Sequence, residues 1–253
     1  MAINFTKIFQ DSWNFVRNTR QITFTFVLLF FLNHSLSSLV AYLLIPEDVL
    51  TQNPEQFAQS LNLNNTADPL FYILIIVNHV ISFLLSLWCL SAIHQVSHSL
   101  YVPSTSLALA IKRFVGAFII NLLLVIPLLL GAADAVFSLI VAKSQPSVFS
   151  WTAIALGAYI FIRCCLASVY YLFNPISITQ ALRESWQSAN QRMFMLLIYC
   201  VLIYFVLPLI GRKLITLNDH LVFELIVTLL IAFLNVFSLV FTYRFYSIFM
   251  HKV

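Results

Sequence analysis

The sequence predicts an all-α fold of six membrane-spanning helices, and three observations carry that prediction. Hydrophobic residues make up 61% of the 253 and charged residues 9%, where a soluble domain carries about 25% charged. The apolar residues fall into six blocks, each at least as long as the ~17 residues that a ~30 Å hydrocarbon core requires at 1.5 Å per residue. Basic residues gather at alternate ends of those blocks, as they do in chains threaded across a membrane. Continuous apolar blocks of this length satisfy their backbone in lipid only as helices.

The elements follow in order. A polar opening of 21 residues is too long for the n-region of a secretory signal, and the apolar run after it is too long for an h-region, so the first span is read as retained. That span covers Ile22 to Ile45. The second covers Leu70 to Ala92, the third Phe114 to Val141, the fourth Trp151 to Leu172, the fifth Met193 to Ile210 and the sixth Leu221 to Phe241.

Segments sharing a side with the N-terminus hold Lys7, Arg17, Arg20, Lys112, Arg113, Arg183, Arg192, Arg244 and Lys252. The opposite loops hold Lys143, Arg212 and Lys213, so both termini are expected in the cytoplasm. The outer loop from Pro46 to Pro69 agrees, with Glu47, Asp48, Glu55 and Asp68 and no Lys or Arg. The net charge of +4 therefore reflects topology, and no nucleic-acid partner is expected.

A short polar phrase occurs twice. Phe5, Ile8, Phe9, Trp13 and Val16 form an apolar stripe at helical spacing, with Lys7, Asp11, Asn14, Arg17 and Asn18 opposite. Ile178, Ala181, Leu182, Trp186 and Ala189 repeat the stripe 173 residues later, with Arg183, Glu184, Gln187 and Asn190 on the polar side. The triplets Asp11-Ser12-Trp13 and Glu184-Ser185-Trp186 superpose. A weaker third copy, Leu107, Ala110, Ile111 and Phe118, follows a helix start at Pro103 and has Val115 in place of the Trp. Each copy precedes an odd-numbered span. The chain is thus expected to be one integral membrane domain over residues 1–253, built from units of amphipathic helix and transmembrane hairpin at about 1–100, 101–173 and 174–253. Trp13, Arg17, Arg183 and Trp186 are its candidate interfacial anchors.

Polar residues inside spans are costly in hydrocarbon and mark either helix–helix contacts or a pathway. The candidates are Asn33, His34, Asn121, Asp134, Arg163 and Asn235, with Asn78 and His79 beside them. Counting rise from the span ends, Asn33, Arg163 and Asn235 fall ~12–17 Å from the cytoplasmic edge, a depth compatible with one polar layer. Asp134 and Arg163 lie on consecutive spans; a direct pair requires tilt or the full reach of the arginine, and snorkelling or contact with Asn and backbone groups competes with it.

Functional signatures are otherwise sparse. His94 and His98 have the spacing that puts two imidazoles on one helical face, yet no third ligand accompanies them, so no metal site is expected. The four cysteines fall inside spans, where a small apolar core role suits them. The chain has no phosphate loop, G-x-S-x-G elbow or H-E-x-x-H, and it is expected to be no enzyme and to take no cofactor. Four glycines, with Pro127 and Pro208 the prolines well inside spans, give little of the helix breakage secondary transporters use.

The stretches FQDSWNFVRNTRQI, NPISITQALRESWQSANQRM and YRFYSIFM resemble the YciC-type family of uncharacterised inner-membrane proteins of enteric and related Gram-negative bacteria. The family's opening acid, small residue, Asn-Phe and Arg-Asn correspond to Asp11, Ser12, Asn14-Phe15 and Arg17-Asn18, while the 46–69 loop departs from it. The resemblance implies a bacterial inner membrane and brings no enzymatic activity. Two function classes follow: a non-enzymatic envelope or partner-binding component whose partners are the bilayer and a protein docking on the cytoplasmic helices, and a small carrier or lipid-handling protein.

Overall fold

A computed structural model of the chain describes residues 4–44, 69–98, 101–141, 143–190, 192–215 and 221–250. Most of the acidic outer loop, with Glu47, Asp48, Glu55 and Asp68, lies outside the described residues, as does Lys252. The helices are α1 (Phe5–Asn18), α2 (Arg20–Leu44), α3 (Pro69–Ser97), α4 (Pro103–Val136, extended by a π-helical turn Phe137–Val141), α5 (Val148–Cys164) and α6 (Ala167–Phe173). They continue as α7 (Ile178–Ser188), α8 (Met193–Cys200), a π-helical segment Val201–Val206, α9 (Leu207–Ile215) and α10 (Leu221–Met250).

Among the described residues six helical stretches are long and apolar enough to span a bilayer: α2, α3, α4, α5–α6, α8–α9 and α10. Their outward faces match that solvent. Phe24, Leu28, Leu32, Leu36 and Leu39 form an exposed stripe along α2, an arrangement water would penalise and lipid accommodates. Several helices outrun the apolar blocks. α3 continues past Ala92 to Ser97 and α10 past Phe241 to Met250, because apolar patterning stops where polar residues begin, whereas the helix stops where packing and capping stop.

Local chemistry sets the boundaries. The Asn4 side chain accepts from Lys7 N–H at 3.2 Å and starts α1; Ser177 accepts from Gln180 N–H at 3.3 Å and starts α7. At Thr19 the backbone leaves helical geometry while its hydroxyl donates to the Phe15 carbonyl at 2.7 Å, separating α1 from α2. The third amphipathic segment behaves differently. Pro103 starts α4, and no breaker follows before Phe114, so this segment runs straight into its span instead of forming the separate helix that the repeat pattern predicts.

The tightest packing is the α4–α5 hairpin. A Cβ at Gly131 would lie 2.8 Å from Ile154 N, and one at Gly157 would lie 2.8 Å from Leu128 N. Each glycine lets its helix press against the other's backbone, the small-residue mode of association in membranes. In the fifth span Pro208 has no N–H to donate, and the preceding Val201–Val206 turn widens, with Leu207 N–H reaching the Leu202 carbonyl. Spans two, four and six meet near the end of the bundle on which α1 lies: His94 stacks on Phe173 at 4.4 Å, and Phe173 packs on Tyr243 at 5.7 Å and Tyr246 at 5.4 Å. All four cysteines are buried and free.

Candidate functional site

Polar side chains within the spans divide into small local groups. On α2, Asn33 donates to Asn78 Oδ1 and to Ser82 Oγ, each at 2.9 Å, tying span one to span two. The next residue, His34, meets Asn235 of α10 at 3.4 Å and ties span one to span six. These contacts are consecutive on α2 because residues 33 and 34 point about 100° apart on a helix. Asn121 is half-buried on α4, and its side chain makes no hydrogen bond among the described residues.

His34 and Asn235 also border a 290 Å³ cleft. Ser238 joins them on α10, while Ile203, Leu207, Pro208, Gly211 and Arg212 supply the wall from the fifth span. The widened turn before Pro208 lies in this wall, and a Cβ added at Gly211 would make ordinary contact with Ile231 Cγ1 at 3.6 Å. The result is an apolar cleft with an imidazole, an amide and a hydroxyl inside and a guanidinium among its lining groups. It has the parts of a small ligand pocket. It has no nucleophile paired with a base.

The two charged candidates have different partners. Asp134, near the end of α4, accepts from Ser147 at 2.6 Å and from Ser150, so it fastens the start of α5 to the end of α4. Arg163, at the other end of α5, donates to Tyr159 Oη at 3.1 Å and to Asn190 Oδ1. Its guanidinium lies 4.2 Å from the Trp186 ring centroid. Amide and aromatic contacts therefore describe Arg163, and among the described residues no hydrogen bond links it to Asp134, Asn33 or Asn235. Sequence reasoning missed Tyr159 and Asn190; their proximity depends on α7 folding back beneath α5, which periodicity does not encode.

The interfacial candidates occupy two places. Trp13 packs edge-on against Phe233 and Phe237 of α10 at 6.4 and 6.5 Å, with Arg17 exposed one turn later. Trp186 packs against Tyr159 at 5.9 Å, and Arg183 is exposed on α7. Beside α1, Asp11, Asn14, Phe15, Asn18, Thr19 and Arg244 line a second, polar cleft of 380 Å³, with the Arg244 guanidinium 5.3 Å from the Phe15 ring. Among the described residues no three His, Cys, Asp or Glu side chains cluster as metal ligands; His94 and His98 lie 4.7 Å apart, with His94 Nδ1 3.2 Å from Tyr243 Oη.

Neither a family model nor a solved structure matches the chain. A Haemophilus influenzae protein described as uncharacterized is 35% identical over 251 residues, which cover 99% of this chain and 99% of that one. Agreement at that level along the whole length includes every span, so the chain is a multi-pass membrane protein that belongs to the same bacterial family as this Haemophilus protein.

Proposed function

We propose that the protein is a non-enzymatic component of the bacterial inner membrane, YciC-type in family, with both termini cytoplasmic and its amphipathic segments forming a cytoplasmic working surface. Three units related by rotation build that surface. The observation that carries this reading is the shared burial of equivalent positions: Ile8, Ala110 and Ala181 are each fully buried, while Trp13, Val115 and Trp186 are each exposed. Each segment also packs against the return span of the unit before it: α1 on α10, the start of α4 on α3 through Trp88 and Ser106, and α7 on α5. The polar span residues support it too, since most are consumed in helix–helix contacts.

Photo-crosslinking from exposed Gln187 in cells is expected to give a defined protein adduct that Trp186→Ala removes, while purified protein in liposomes conducts no solute above empty vesicles. Solute-specific flux without an adduct overturns the proposal. The cleft of His34, Asn235 and Ser238 favours a second reading, a small carrier, and flux sensitive to His34→Ala is its signature.

A further inference from the structure

We propose that the groove between α1, α2 and α10 is a binding site for one anionic phospholipid, its phosphate held by Arg17 and Arg20 and an acyl chain laid along the helices. Two adjoining clefts, of 480 and 330 Å³, share Phe24, Val27 and Leu229 and so form one continuous groove. Its mouth holds Trp13, Arg17 and Arg20; its far end holds Phe31, Leu225 and Ile226. Everything between is hydrocarbon apart from Thr23.

Charge and length select the occupant. Arg20 Nε donates to the Arg17 carbonyl at 3.1 Å, a contact that does not use its two terminal amino groups, and among the described residues no carboxylate forms an ion pair with Arg17 or Arg20. Two adjacent uncompensated guanidiniums beside an interfacial Trp suit a phosphate, and Arg presents the forked donors that phosphate oxygens accept. Along α2 the groove runs from Arg20 to Phe31, eleven residues, or ~16 Å. Half of a ~30 Å hydrocarbon core is ~15 Å, so the groove reaches through one leaflet and stops. A peptide would need polar partners for its backbone along this wall, and the wall offers almost none.

The inference deepens the proposed function by giving its cytoplasmic surface a ligand, and it rests on that reading only for which leaflet supplies the lipid. Symmetric nanodiscs remove the dependence. Full-length protein, stripped of lipid and equilibrated with phosphatidylglycerol and phosphatidylcholine of matched chains, is analysed by native mass spectrometry. Phosphatidylglycerol is expected to be retained preferentially, with roughly fivefold of the preference lost for each of Arg17→Gln and Arg20→Gln. Arg183→Gln, on the other amphipathic helix, leaves the preference in place, and Leu229→Trp, which fills the groove, lowers retention. Equal retention of the two lipids, or equal losses from Arg183→Gln and Arg17→Gln, overturns the site in favour of diffuse attraction. Unchanged retention in Leu229→Trp also overturns it.

A second measurement keeps both arginines. With Trp88, Trp151 and Trp186 replaced by Phe, brominated phosphatidylglycerol is expected to quench Trp13 more than brominated phosphatidylcholine at equal mole fraction. Equal quenching counts against the site. These readouts do not depend on sidedness, so a failed cytoplasmic assignment and a failed lipid site are told apart.

Discussion

Arg163 shows how a charge is satisfied within a span. Its guanidinium lies over Trp186 at 4.2 Å and over Tyr159 at 5.5 Å, and its amino groups reach Tyr159 and Asn190. A cation over an indole is worth about 0.5–2 kcal/mol according to how far the pair is removed from water. Trp186→Ala and Arg163→Gln should each destabilise the fold, and in a double-mutant cycle their losses should be coupled by at least ~0.5 kcal/mol, because each acts on the same contact. Unfolding in mild detergent measures this, and purely additive losses would remove the contact from the account. Asp134 supplies the opposite expectation. Its partners are Ser147 and Ser150, so Asp134→Asn and Arg163→Gln should add to within ~0.5 kcal/mol, as independent sites do. The sequence marks both residues as costly in a membrane and places them within the third and fourth spans. It does not reveal which neighbours satisfy them, since Ser147 and Asn190 lie in connections whose path depends on tertiary packing.

At the scale of elements, the spans are the most legible part because the bilayer imposes a length that composition must meet. The boundaries are less so. Residues 93–97 and 242–250 are helical although polar residues interrupt them, and the joint at Thr19 looks no different in the sequence from the unbroken stretch after Pro103. What the sequence does contain, once the helices are known, is the cap: Asn4 and Ser177 stand 173 residues apart and both start their helices through a side-chain oxygen, matching the offset of the Trp pair. The glycines carry the next prediction. At Gly157 a Cβ would meet Leu128 N at 2.8 Å and Pro127 C at 3.1 Å; these are backbone atoms that cannot rotate away. Gly157→Leu should therefore force α4 and α5 apart and sharply lower folded yield, by the several kcal/mol typical of overpacking in a rigid contact. Gly211 is the comparison, with Ile231 Cγ1 at 3.6 Å. Gly211→Ala should leave yield unchanged or raise it, since it also removes unfavourable backbone freedom from a helix. Fluorescence-detected size-exclusion chromatography of the two variants reads both outcomes, and equal losses would show that the hairpin is not held by backbone approach.

For the whole molecule, the proposed three-unit arrangement makes a claim about depth that no single contact contains. Trp13 rests against Phe233 and Phe237 of span six, and Trp186 rests against Tyr159 of span four. The partners differ in sequence, yet both lie on return spans, and the proposed three-unit relation requires that one indole superpose on the other. Trp rings favour the headgroup boundary, where an apolar ring and a polar N–H are both satisfied. Burying such a side chain stabilises by about 2 kcal/mol, which is enough to fix helix depth but not to hold a span in the membrane. In single-Trp proteins with the other three replaced by Phe, Trp13 and Trp186 should therefore give the same quenching depth, and Trp→Ala at either should loosen its helix without removing a span. Trp151 provides the internal standard. It lies in the first turn of α5, exposed at the opposite end of the bundle, and should respond to a quencher confined to the other leaflet. Trp13 in water with Trp186 deep in the bilayer, or the two on opposite leaflets, would leave the shared triplets as coincidence and dissolve the rotational relation between the units.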